Sequence, residues 1–436
     1  MLTVLAYSMI VVFMALIMTK RLPAMVALIV VPIAFGLIAG FGLKLGPMMQ
    51  DGIRSLAPTG VMLMFAILYF GIMIDAGLFD PIVRLILKLV GGDPMKIVVG
   101  TCLLAMMVGL DGDGSTTYMV TAAAMLPLYR RLGISRLVFA CVVMMAAHNM
   151  NLLPWGGPTA RVVSALKLDM GDVFVPLIPV MILTAVWVLF VAYILGMRER
   201  RRIGVVLLEP GETSGEGIMV GEDASLLRPK LLWFNALLTV ALLVVLVWGV
   251  MPLPVLFMIA FAIAVTVNYP GLQPLKERVE AHAPNVLPVV GLIFAAGIFV
   301  GILLGTKMVD AIAESVIAAV PQSMGPYMAI VTAVLSVPFT FFISNDAFYF
   351  GIVPILAKTA AIYGISPAEI ARASLIGQQV HLLSPLVAST YLLVGLAEVE
   401  FGDHQRFTLL WALSAAVAML LFAIVLGVVP IVGSAG

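Results

Sequence analysis

The sequence predicts an all-α polytopic membrane protein made of two inverted repeats, each of about five transmembrane helices plus one re-entrant hairpin, with broken helices meeting at the midplane. Three observations predict it. The 436 residues are 63% hydrophobic and only 11% charged, with a mean hydropathy of +1.17, whereas a soluble globule is about a quarter charged. Interrupted apolar segments stand in corresponding places in the two halves of the chain. Carboxylates lie inside otherwise uncharged runs, and an ionisable group at membrane depth is costly enough to mark a functional site.

In chain order, apolar runs near 2–19, 24–41 and 57–74 approach the ~20 residues a helix needs to cross a bilayer. The first has no basic leader or small-residue cleavage site, and Lys20-Arg21 follow it, so it is expected to be a retained span. Asp80 to Val90 is amphipathic and too short to span, the pattern of an interfacial helix. A hairpin is predicted over about 95–130, because Gly109-Leu110-Asp111-Gly112-Asp113-Gly114-Ser115-Thr116-Thr117 sets two carboxylates and three glycines between uncharged runs. Backbone broken in lipid must face protein or a watery cavity, so this run reads as a re-entrant tip. A broken helix follows over about 136–167, then a span at 173–196. Residues 198–230 are polar and read as a cytoplasmic linker.

The order then begins again. Spans are predicted at 231–250, 252–268 and 287–305, and an amphipathic piece at 307–320. A hairpin over about 325–363 has its tip at Ser344-Asn345-Asp346; a broken helix at about 367–396 and a span at 406–430 complete the half. Residues 1–197 and 231–436 are thus the two repeats. Gly133-Ile134-Ser135 matches Gly364-Ile365-Ser366, Pro154 matches Pro385 and Thr159 matches Thr390, all at a separation of 231. Placing Lys20-Arg21, Arg130-Arg131 and Arg198 to Arg202 on the cytoplasmic side obeys the positive-inside rule. Five crossings per half is odd, so the second half inserts upside down and the two hairpins enter from opposite sides of the inner (plasma) membrane.

Four segments supply the candidate site. Substrate-binding candidates are Ser115 and Thr116 at the first tip, Asn151, Gly156, Gly157, Thr159 and Arg161 at the first break, Ser344 and Asn345 at the second tip, and Ser384 and Thr390 at the second break. Broken helices present N–H groups to anions and carbonyls to cations. Arg161 is the anion-recognising candidate, since guanidinium meets a carboxylate through two parallel hydrogen bonds; the competing reading is an arginine snorkelling at a helix end. Asp111, Asp113 and Asp346 suit either a divalent cation, through hard oxygen donors, or proton carriage. His148 and His381 are proton-coupling candidates, weighed against satisfied core histidines; His282 and His404 read as loop residues without a role. Cys102 and Cys141 and the 28 methionines read as packing residues. A net charge of +1 argues against nucleic acid, and no prosthetic group is implied.

At these residues the sequence resembles a known family. Leu110–Met119, Leu153–Arg161, Ser344–Gly351 and Gly71–Pro81 are similar to the citrate-metal:proton symporters (CitMHS), and the resemblance covers nearly the whole chain. It implies uptake of citrate complexed with a divalent metal such as magnesium or calcium, coupled to protons, the metal being cargo. It also implies the ion transporter superfamily layout: a homodimer in the bilayer, with a scaffold and a moving unit of hairpins and broken helices. Relatives there carry Ser-Asn-Thr tips; the carboxylates here suit a metal-bearing substrate better than a sodium site. Fully ionised citrate has three negative charges and a divalent ion removes two, leaving a monoanion that one arginine and backbone dipoles can hold. On this reading Arg161, Thr159, Ser344 and Asn345 contact carboxylate oxygens, while Asp111, Asp113 and Asp346 face the metal or relay protons. Two other readings stand beside it: a proton-coupled transporter of another carboxylate, oxyanion or cation, and an intramembrane aspartyl protease using Asp113 and Asp346, which has no use for inverted halves.

Overall fold

Helices satisfy their backbone hydrogen bonds within one segment, as so apolar a chain requires in lipid. The structure, a computed structural model, has no strand among the residues it describes, which are 2–19, 21–90, 92–112, 114–205, 224–248, 251–319, 323–343, 345–384 and 387–434. The first half runs α1 (Leu2–Met18), α2 (Ala24–Ile38), α3 (Leu45–Asp75), α4 (Asp80–Val90), α5 (Pro94–Val108), α6 (Gly114–Leu132), α7 (Arg136–Met150), α8 (Gly157–Leu166) and α9 (Met170–Ile203). The second runs α10 (Leu232–Trp248), α11 (Leu253–Asn268), α12 (Leu272–Gly305), α13 (Met308–Ala319) and α14 (Met328–Phe342). It continues through a π-helical turn, Ala347–Ile352, to α15 (Val353–Ala361), α16 (Pro367–Ser374), α17 (Gln378–His381), α18 (Ala388–Ala397) and α19 (Phe401–Val425). The backbone itself marks the recurrence. Left-handed residues Gly40, Gly77, Gly133 and Lys167 have counterparts at Gly271, Lys307, Gly364 and Glu398, at separations of 231, 230, 231 and 231.

Three helices extend past the apolar runs that announced them. α3 starts at Leu45 instead of 57, α12 at Leu272 instead of 287, and α9 continues to Ile203, so Arg198 to Arg202 are helix and not linker. The physical reason is that Arg, Lys, Glu and Gln are good helix formers which hydropathy discounts, and arginines in a last turn complement the helix dipole. Glu199, inside that turn, is buried and accepts the Ser135 N–H at 3.0 Å. Among the described residues six helices are long and apolar enough to cross a membrane: Gly42–Asp75, Met170–Ile203, Pro229–Leu246, Leu272–Gly305, Gly325–Phe342 and Phe401–Val425. The expected spans α1, α2 and α11, of 17, 15 and 16 residues, are shorter than the ~30 Å hydrocarbon core at about 1.5 Å per residue.

The helices α3 and α12 cross backbone to backbone. A Cβ on Gly52 would lie 1.9 Å from the Gly297 carbonyl, and one on Gly301 would lie 2.2 Å from the Met48 carbonyl. Gly297 and Gly301 are four apart, the small-xxx-small spacing that brings membrane helices together without lipid between them. The described end of the linker docks where α3 and α11 end. Arg228 donates its N–H to the Ala76 carbonyl at 3.1 Å and its Nε–H to the Asn268 carbonyl at 2.7 Å, with its guanidinium 4.6 Å from the Tyr269 ring centre.

Candidate functional site

The first tip is made by local backbone chemistry. α5 starts with Asp93 accepting the Met95 N–H at 3.0 Å and Pro94 in its first turn; it ends in a 3-10 turn, Gly109–Asp111. Gly112 reverses the chain at φ +79°, which an L side chain resists, and a Cβ there would meet Trp155 Cδ1 at 2.7 Å. Trp155 belongs to the break between α7 and α8. Its Nε1–H donates to the Leu110 carbonyl at 2.9 Å, and its ring packs 4.9 Å from Phe70 and 5.2 Å from Phe257. One indole therefore clamps the first tip to the first break and both to the α3–α11 wall.

The breaks are closed by side chains that take up the freed carbonyls, as buried backbone demands. Thr159 donates its hydroxyl to the Leu152 carbonyl at 2.8 Å; at the second break Thr390 donates to the Leu382 carbonyl, and Gln405 Nε2 to the Leu383 carbonyl at 2.7 Å. His148 accepts the Leu382 N–H on Nε2 at 2.9 Å, joining the first broken helix to the second, and His381 Nδ1–H donates to the Thr340 carbonyl at 2.7 Å. Asn345 and Gln378 exchange amide hydrogen bonds of 3.3 and 2.9 Å, tying the second tip to its own broken helix.

Arg161, one turn into α8, donates Nε–H to Asp346 Oδ1 at 2.6 Å, and both side chains are largely buried. Gly157 makes room for the guanidinium, since a Cβ there would lie 2.5 Å from Arg161 Nη1. The snorkelling alternative does not describe this arginine: it spans from the first break to the second tip.

These segments enclose a cavity of about 510 Å³. Of the expected residues, Thr116, Asn151, Gly157 and Arg161 line it, with Thr117, Gly112, Gly114 and Ser389 beside them. Ser115, Gly156, Thr159, Asn345, Ser384, Thr390, His148, His381 and Asp346 are not among its lining residues. Asp113 and Ser344 lie outside the described residues, and of Asp111 only the backbone is described. Among the described residues no group of three His, Cys, Asp or Glu could hold a metal ion.

The other wall is α3 and α12, and sequence reasoning missed it. Phe70, Gly71, His282 and Asn285 line the cavity. His282 is not a loop residue: it lies on α12, donating Nε2–H to Asp75 Oδ2 at 2.8 Å. His404 is likewise helical, on α19, and buried, with Thr408 at 3.2 Å. Both stand in charged stretches that hydropathy assigns to connections. The available signal for His282 was Gly71–Pro81, a segment singled out in sequence whose Gly71 and Asp75 face this histidine.

A citrate transporter family profile matches residues 7–377. The chain is 58% identical over 429 residues to a citrate transporter of Bacillus subtilis (strain 168), covering 98% of this chain and 100% of that one. It is 52% identical over 432 residues to a Mg(2+)/citrate complex secondary transporter of the same organism, covering 99% and 100%. Its fold is similar to that of MtrF of Neisseria gonorrhoeae, from a class of antimetabolite efflux pumps, with a TM-score of 0.62 over 90% of this chain and 86% of that one; at 16% identity this is a likeness of fold alone. The family match takes in both halves, the relatives extend it to nearly the whole chain, and both describe a membrane transporter where the protease reading required an enzyme. The chain belongs to the citrate transporter family.

Proposed function

We propose that this protein carries citrate complexed with a divalent metal, magnesium or calcium, across the cytoplasmic membrane together with protons. The observation that carries the proposal is the cavity built around the Arg161–Asp346 pair. Its volume, about 510 Å³, falls in the ~300–1,000 Å³ range of small-molecule sites. A guanidinium has five N–H groups, so Arg161 can keep Nε on Asp346 and turn others to a substrate carboxylate. The arginine–aspartate pair is neutral as a unit, which suits a monoanionic metal-citrate complex better than the free trianion. The names of the Bacillus relatives, one for citrate and one for its magnesium complex, point the same way.

In this reading Arg161, Thr116, Asn151 and Gly157 contact the substrate from the cavity wall. Ser115, Gly156, Thr159, Asn345, Ser384 and Thr390 hold the tips and breaks that shape it, and Ser344 keeps the substrate-binding role expected from the sequence. Asp111, Asp113 and Asp346 are assigned to the travelling metal or to proton relay, and His148 and His381 to proton coupling. The two halves act as inverted repeats, a reading supported by left-handed residues recurring at 230–231. Homodimeric assembly follows from the family resemblance and belongs to the same proposal.

The test is uptake of labelled citrate into proteoliposomes under an imposed proton gradient, with no metal, magnesium or calcium. Uptake that requires one of the metals and collapses with a protonophore is the expected result. Metal-independent uptake would overturn metal-citrate as the substrate, and absence of citrate uptake would turn the search to other carboxylates or oxyanions.

A further inference from the structure

The α3–α12 wall carries three ionisable groups that the transport reading above does not use. Asp75 closes α3, where the helix's unpaired carbonyls disfavour a carboxylate. It is compensated from α12: Arg278 Nη1 approaches Asp75 Oδ2 at 3.3 Å and His282 Nε2–H donates to the same oxygen at 2.8 Å. Arg278 and His282 are one turn apart on α12, as Gly71 and Asp75 are on α3, so the two helices meet in register. A Cβ at Gly71 would lie 2.6 Å from His282 Nδ1. Only glycine lets the imidazole lie on the α3 backbone. With Nε2 turned to Asp75, Nδ1 lies over Gly71, and Gly71, His282 and Asn285 all line the cavity opposite Arg161.

We propose that His282 is the scaffold-side ligand of the substrate anion and takes up a proton at Nδ1 when that anion binds. The inference rests on the metal-citrate reading above and assigns its proton coupling to a named atom. Neutral His282 presents a lone pair at Nδ1, which an anionic oxygen avoids. Protonated His282 keeps its Nε2–H bond to Asp75 and presents Nδ1–H to a carboxylate or hydroxyl oxygen.

The charges enforce the coupling. Asp75 with Arg278 sums to zero, and so does Arg161 with Asp346 across the cavity; Arg228, 4.6 Å from the Tyr269 ring that Arg278 also approaches at 6.0 Å, adds a fixed positive charge on the Asp75 side. Exposed Glu280 pairs with Lys276 at 3.7 Å, and the side chain of Asp111 is outside the described set. Among the described groups, protonation of His282 therefore adds one positive charge and a metal-citrate complex adds one negative charge. Whatever the charge of the surrounding site, the proton and the anion offset each other, so each lowers the electrostatic cost of placing the other in a low-dielectric cavity. Proton and anion thus favour each other's binding reciprocally.

The test is calorimetric titration of magnesium citrate into the purified full-length protein between pH 6.5 and 8, in buffers of different ionisation heat. Wild type is expected to take up about one proton per complex, with affinity falling up to about tenfold per pH unit over part of this range. His282→Gln, which retains an N–H for Asp75 but cannot titrate, is expected to lose the linked proton and to vary less than about twofold over the same range. A merely structural histidine would instead weaken binding equally at every pH, and a wild-type linked proton in His282→Gln overturns the proposal. If that variant does not fold, Asp75→Asn decides: it keeps an acceptor for Nε2–H without the charge. A shift of its linked-proton profile to lower pH is expected, and an unchanged profile overturns the proposal. Wild-type protein that does not bind magnesium citrate overturns the functional reading and this proposal with it.

Discussion

At the scale of the residue, one guanidinium is asked to do two things: hold Asp346 at 2.6 Å and, in the proposed function, receive a substrate carboxylate. Lysine offers a compact ammonium whose three donors radiate from one atom, so it lacks the planar fork that holds one carboxylate through Nε while presenting paired N–H groups to a second. Arg161→Lys is therefore expected to slow initial citrate uptake at least tenfold, about 1.4 kcal/mol in transition-state or binding terms, while the protein still elutes as folded material. Arg161→Ala should cost more, because it leaves Asp346 largely buried without its cation. Uptake by Arg161→Lys within about twofold of wild type would remove the arginine from the site. Arg161 was legible in sequence because a charge inside an apolar run stands out. His282 was not, because Lys276, Glu277, Arg278 and Glu280 surround it and the stretch reads as a connection. Thr159 and Thr390 were legible as a pair, yet their hydroxyls bond the carbonyls of Leu152 and Leu382, a task set by backbone geometry that composition does not reveal.

At the scale of the element, hydropathy located the apolar middle of each long helix and missed its polar ends, since propensity and capping decide where a helix stops. Turns at constant spacing were readable as well: Gly133 and Gly364, 231 residues apart, both turn left-handed, at φ 69° and 73°. The contact that holds α3 to α12 was also written in the chain, as Gly297 and Gly301, but glycine in an apolar run has no hydropathy signature. Gly301→Val would push a branched side chain into the Met48 carbonyl, 2.2 Å from the Cβ position alone. Overpacking of this kind typically costs about 1–3 kcal/mol, and more where backbone must move. The expected outcome is a lower thermal midpoint in detergent and loss of uptake. Gly395→Ala on α18 meets nothing within 4 Å and should leave both unchanged or raise the midpoint slightly through helix propensity. Equal effects from the two substitutions would mean that the crossing is not tight.

At the scale of the molecule, the hairpins and broken helices of the two halves are joined to each other. His148 of the first half accepts the Leu382 N–H of the second, Arg161 holds Asp346, and Arg130 on α6 pairs with Glu398 at the end of α18 at 2.7 Å. The α3–α12 pair forms the opposite wall of the cavity and is held internally by glycine contacts. If transport moves the interlocked hairpins and breaks as one body past α3 and α12, a link within that body should be harmless and a link across the cavity should stop it. Arg130 and Glu398 are more than half exposed, so cysteines there, bridged by a short bifunctional thiol reagent, test the first case. Cysteines replacing Phe70 and Trp155, whose ring centres lie 4.9 Å apart across the boundary, test the second. The first bridge is expected to leave citrate uptake within about twofold of the unbridged protein; the second is expected to abolish it, with recovery on reduction to the level of the unbridged double variant. Native Cys102 and Cys141 are fully buried and should not compete for the reagent. Transport that survives the bridge across the cavity would mean that α3 and the first break travel together, and the moving boundary would have to be sought elsewhere in the fold.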